Sequence, residues 1–150
     1  MDITDPPGAA RRLPFAPTVL QRAVLSISAL LAAYIGWEGI VDTTGFLRAM
    51  DVEILGPGGM NEIRAQYGGF FGAVTIVCLL GMFGRIRPSA ALTVMIAIYG
   101  GVLFGRLVSL GLDGMAVFES YPALLQRAHV IDLVGLILSA IALRQGDRAA

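Results

Sequence analysis

The sequence predicts an all-α protein, a four-helix transmembrane bundle of up-down-up-down topology with both termini cytoplasmic. Three observations lead there. Apolar residues fill 56% of 150 positions against 15% charged, and mean hydropathy is +0.75, outside the range of an ordinary water-soluble domain. Four separate runs approach the roughly 20 apolar residues that a helix needs to cross a hydrocarbon core of about 30 Å. Arginines gather on one side of those runs and acidic residues on the other.

The chain opens with a stretch, 1–21, that contains Pro6, Pro7, Gly8, Pro14 and Pro17 and reads as a disordered or tethered cytoplasmic tail. The first span, 23–41, carries only Glu38. Its apolar run is full length and continues into Trp37 and Glu38, so it reads as a retained helix rather than a cleavable signal. The second span, 63–84, is uncharged after Arg64, and the third, 89–112, holds Arg106 alone. The fourth, 122–143, is interrupted by Arg127, His129 and Asp132. Only Leu133 to Leu143 is unbroken, so this helix crosses if its neighbours shelter the polar groups. Residues 145–150 form a second cytoplasmic tail. Between the first two spans, Phe46, Met50 and Ile54 repeat every four residues, enough for a short interfacial helix that Gly56-Pro57-Gly58-Gly59 ends.

Orientation follows from Arg11, Arg12, Arg22, Arg85, Arg87, Arg144 and Arg148 on one side, against Asp42, Asp51, Glu53, Asp113 and Glu119 on the other. Helices in lipid associate by close approach, and each span offers one small-residue stripe for it: Ser28, Ala32 and Gly36; Gly68 and Gly72; Ala97, Gly101 and Gly105; Gly135 and Ser139.

Helical rise then sets the depth of each intramembrane polar group. Glu38 lies sixteen residues beyond Arg22, Arg106 nineteen beyond Arg87, and Arg64 twenty-one before Arg85, so all three reach the outer third. Asp132 lies twelve residues from Arg144, about 18 Å in, near the middle. A carboxylate there costs about 2.5–3.5 kcal/mol unless it has a partner. His129 shares its helix face, Arg106 and Arg64 are the cations within reach, and Arg127 points nearly opposite His129 and can snorkel outward. The outer-half cluster of Glu38, Glu62, Arg64, Tyr67, Arg106, Asp113, His129 and Asp132 is therefore expected to form a small polar cleft. Such a cluster either locks helices together or lines a ligand cleft. A proton relay through Asp132 and His129 lacks a continuation toward the cytoplasm.

Several chemistries are excluded. A formal charge of +0 leaves no footprint for nucleic acid. Cys78 stands alone, one His excludes bis-histidine haem within a monomer, and no ligand spacing suggests a metal. Ser109, His129 and Asp132 lack a nucleophile elbow, and the Gly-rich segments lack the Lys of a phosphate loop. Neither a catalytic residue nor a cofactor is expected.

At Asn61-Glu62-Ile63-Arg64-Ala65-Gln66-Tyr67-Gly68-Gly69, and at Gly105-Arg106-Leu107-Val108-Ser109 with Asp113-Gly114, the chain resembles an uncharacterised bacterial family of small four-helix membrane proteins catalogued as a domain of unknown function. The likeness spans about 22–143, and the layout is similar to that of DoxX-like proteins. It implies a four-helix bundle, carries no activity, and points to Arg64, Tyr67, Arg106 and Asp113. The expected function is non-catalytic: an inner-membrane protein contacting lipids that binds a small or hydrophobic ligand, or an accessory subunit of a membrane-protein complex. The alternative is a quinone-linked redox enzyme or proton-coupled transporter using Asp132, His129 and Arg106.

Overall fold

The structure, a computed structural model, describes residues 15–149. The tail expected over 1–21 therefore lies mostly outside the described residues. The elements are α1 (Val19–Val41), α2 (Thr43–Arg48), α3 (Pro57–Ile63), a π-helical segment (Arg64–Phe70), α4 (Phe71–Met82), α5 (Pro88–Asp113), a 3-10 helix (Met115–Ser120) and α6 (Ala123–Ala149). There is no strand among the described residues. Four helical stretches are long and apolar enough to cross a membrane: Val19–Val41, Pro57–Met82, Pro88–Asp113 and Ala123–Gly146. Leu30 (72% exposed) and Phe104 (69% exposed) face outward, where only hydrocarbon would favour them.

Each helix starts and stops for a local reason. Thr18 and Gln21 form a reciprocal capping box, so α1 begins four residues before the expected 23 and draws Arg22 into its first turn. The loop helix is shorter than its apolar repeat suggests. It stops at Arg48 because Asp51 takes a left-handed φ of 58° and the Val52 N–H returns to the Leu47 carbonyl. Gly56-Pro57-Gly58-Gly59 does not end that helix but opens the next. Pro57, with φ preset and no N–H to satisfy, suits the first helical turn, so the second span starts at 57 rather than 63. Gly84, at φ 66°, closes the turn that follows α4, with the Arg85 N–H on the Leu80 carbonyl. The helix α6 runs on to Ala149, past the end of the fourth span.

The four spans form a ring. α1 packs mainly on α4 and the π segment, α5 mainly on α6, and the α1–α6 and α4–α5 contacts close it. The tightest core, with Leu25, Cys78, Ala91, Leu92 and Ala142 fully buried, lies toward the end bearing Arg87. Three of the expected small-residue seams are present. Ser28, Ala32 and Gly36 are buried, Gly36 faces Gly68 and Gly72, Gly135 faces Tyr99 of α5, and Ser139 is fully buried. The fourth is not. Ala97, Gly101 and Gly105 are exposed, and a methyl group added at either glycine would touch nothing within 4 Å. The inward face of α5 is instead Ala91, Leu92, Met95 and Tyr99, because the Tyr99 ring needs the space that Gly135 leaves.

Candidate functional site

Tyr99, Arg106 and Asp113 recur every seven residues and therefore lie on one face of α5. Asp132, Gly135, Ser139 and Ala142 form the matching stripe on α6. Where the stripes meet, a ladder of contacts ascends from the Arg87 end. Ala142 and Ser139 are fully buried, and the Tyr99 ring lies so close to Gly135 that a Cβ there would sit 2.6–2.8 Å from ring carbons. Above it, Arg106 Nε donates to Asp132 Oδ2 at 2.8 Å, in the only ion pair among the described residues. Both side chains are largely buried, 23% and 14% exposed. Desolvation strengthens the attraction and also makes either charge costly alone.

His129 stands one turn toward the Asp113 end. Its Nδ1 is 2.7 Å from the Leu125 carbonyl, and since a carbonyl can only accept, Nδ1 carries the hydrogen. Nε2 is buried and has no partner. Two rings hold the imidazole, Tyr121 stacked at 6.0 Å and Phe118 edge-on at 5.2 Å. They are placed by Gln126, whose Nε2 donates to the Phe118 and Tyr121 carbonyls and ties the 3-10 helix to α6.

The pairing of Arg106 uses only one edge of its guanidinium, whereas a bidentate fork would use two donors. A charged pair, unspent donors on Arg106 and an unsatisfied imidazole nitrogen thus lie within one turn of α6. By their chemistry, Arg106 can donate further hydrogen bonds and the His129 Nε2 of this tautomer can accept one.

The remaining predicted residues are distributed around the same end of the bundle. Asp113 accepts from Ser109 at 2.9 Å, an exposed bond within α5. Tyr67 packs between Phe46 (5.3 Å) and Phe71 (6.0 Å) and against Gly39 of α1. Glu62 and Arg64 are exposed, and Glu38 is half-buried on α1. Hydrogen bonds and ion pairs join only Arg106 and Asp132 of the eight to one another. A depression of about 680 Å³ beside α2 and the start of α3, lined by Arg48, Asp51 and Glu53 among others, touches none of them.

A family model described as a domain of unknown function, DUF4345, matches residues 20–143. The chain belongs to that family. No curated protein and no solved structure matches it. The DUF4345 match contains all eight residues, and beside them side chains that the sequence marks only for helix packing or not at all. Ser28 and Tyr99 are buried and share a hydrogen bond of 3.2 Å, and the seven-residue step from Tyr99 to Arg106 was the available signal. Phe118 and Tyr121 were legible only as aromatic residues beside a helix start. Tyr99→Phe strands the Ser28 hydroxyl and is expected to cost about 1 kcal/mol, measured by thermal unfolding in detergent. An unchanged midpoint would show that Ser28 satisfies itself within α1.

Proposed function

We propose that this chain is a non-catalytic, multi-pass protein of a bacterial inner membrane, with both ends cytoplasmic, that holds a small or lipidic ligand in a polar cleft at the outer end of the α5–α6 seam. The observation that carries the reading is unspent hydrogen-bonding capacity beside a buried ion pair. Arg106 engages Asp132 through Nε alone, and His129 Nε2 is buried without a partner. A cluster serving only to lock helices would consume its donors and acceptors internally, since each unsatisfied group in lipid costs free energy. The orientation is supported by the arginines at the Arg87 end and is tested by labelling Glu119→Cys from outside intact cells, in a Cys78→Ser background.

The ligand is tested by native mass spectrometry of protein purified in mild detergent. The expected result is one small molecule per chain, retained by wild type and lost from Arg106→Ala and from His129→Phe. Retention by both variants would overturn the assignment. A stoichiometric protein partner in place of the small molecule would move the function to an accessory subunit, and a monodisperse empty chain would count against both.

A further inference from the structure

A second feature opens along the α1–α6 seam, and it shares Tyr99 and Gly135 with the α5–α6 ladder but not Arg106 or Asp132. Between α1 and α6 runs a groove of about 240 Å³, walled by Val24, Ile27 and Leu31 on one side and by Val130, Val134 and Leu138 on the other. Its floor is the Ser28–Tyr99 hydroxyl pair, whose members bond each other, so nothing in the groove demands a polar partner. Ile27 (55% exposed) and Val130 (61% exposed) show that it opens sideways, toward lipid.

Two charges stand beyond one end of the groove. Arg127 lies three and seven residues before Val130 and Val134, hence on their face of α6, and Glu38 lies seven residues after Leu31, hence on its face of α1. Ser28 and Gly135 both touch the Tyr99 ring and give the two helices a common level. From there Glu38 is ten residues away, about 15 Å, and Arg127 is eight, about 12 Å. The two charges therefore stand at nearly one height on opposite walls. Neither enters an ion pair among the described residues. Tyr99 is near the middle of α5, and the lining reaches from Val24 and Leu138 on one side of its level to Leu31 and Val130 on the other, so the groove straddles mid-span and the two charges stand beyond its Asp113-side end. From that level to the charges is about one leaflet, half of a roughly 30 Å hydrocarbon core.

We propose that this groove is a binding site for one phosphatidylethanolamine molecule of the leaflet at the Asp113 end, independent of the polar cleft. One acyl chain lies along the aliphatic walls, the phosphate meets the Arg127 guanidinium, and the ammonium meets the Glu38 carboxylate. Charge complementarity selects the head group. A guanidinium pairs with phosphate through two parallel donors, and a carboxylate accepts from a primary ammonium but gains no hydrogen bond from a quaternary one. A head without an ammonium leaves Glu38 facing a phosphate.

The test titrates the detergent-purified full chain with dioleoyl phosphatidylethanolamine, phosphatidylglycerol or phosphatidylcholine and counts adducts by native mass spectrometry. Wild type is expected to take up one phosphatidylethanolamine at about tenfold lower concentration than the other two. Glu38→Gln should erase that preference, and Arg127→Gln should weaken all three lipids. Val134→Trp, which fills the groove from a position already exposed, should abolish the adduct while the unfolding temperature holds. Arg106→Ala should leave the adduct intact, which separates this site from the cleft. Uptake of phosphatidylglycerol equal to phosphatidylethanolamine by wild type, or an undiminished adduct in Val134→Trp, overturns the proposal.

Discussion

Arg106→Ala is expected to lower the stability of the detergent-solubilised protein by about 3 kcal/mol, whereas Asp132→Ala costs about 1 kcal/mol or less. The two halves of one ion pair differ because their escape routes differ. Asp132 lies nine residues from the start of α6, about 13 Å inside the helix, on a short side chain that cannot reach the interface. Without Arg106 it is left uncompensated at a depth where a carboxylate costs about 2.5–3.5 kcal/mol. Arg106 lies seven residues from the end of α5, about 10 Å inside, on a stem long enough to carry its charge to the head groups when Asp132 is gone. The double variant Arg106→Leu with Asp132→Leu removes both charges and should recover most of the loss, as replacement of buried pairs by apolar residues often does. Unfolding by graded denaturing detergent measures all three. Equal losses from the two single variants would mean that the pair is not buried as described.

The position of each charge along its helix can be read from the chain because it depends only on helical rise and on where each span begins. For the same reason Arg106 and Arg64 both qualified as partners of Asp132. Rise fixes height but not which helices are adjacent, and the α5–α6 contact decides between them. The small-residue stripes show the same limit. A four-residue period fixes that Ala97, Gly101 and Gly105 share a face, not that the face turns inward, and the bulk of Tyr99 turns it outward. Gly56-Pro57 fits either end of a helix by sequence, because Gly-Pro punctuates both, and only the neighbouring backbone bonds tell which. The π segment had no signature of its own in Arg64-Ala65-Gln66-Tyr67-Gly68-Gly69-Phe70. It covers most of the motif that carries the family resemblance, and π segments recur where a helix is reshaped for packing or function.

That reshaping gives the second large effect, at Gly39. A Cβ on Gly39 would lie 2.6 Å from the Tyr67 Cβ and 3.2 Å from the backbone of Tyr67 and Gly68. These are atoms at or next to the main chain, so no rotamer change relieves the clash and α1 must move off the π segment. One turn below, a Cβ on Gly36 would meet the Gly68 carbonyl oxygen and the Gly72 nitrogen at 3.5 Å, so the two backbones are close there too and that displacement loosens the seam. Helix propensity acts the other way, since Gly→Ala inside a helix gains up to about 1 kcal/mol wherever space allows. Gly101→Ala isolates this gain, because nothing lies within 4 Å of a Cβ there. Gly101→Ala should therefore be neutral or stabilising. Gly39→Ala should fall below it by about 1–3 kcal/mol of overpacking, and Gly39→Leu should lose the α1–π contact altogether. The measurement is the difference between the two alanine variants in thermal unfolding in one detergent, where propensity cancels and packing remains. If Gly39→Ala melts with Gly101→Ala, the close approach of α1 to Tyr67 is absent. The position of Tyr67 between Phe46 and Phe71 then needs another cause.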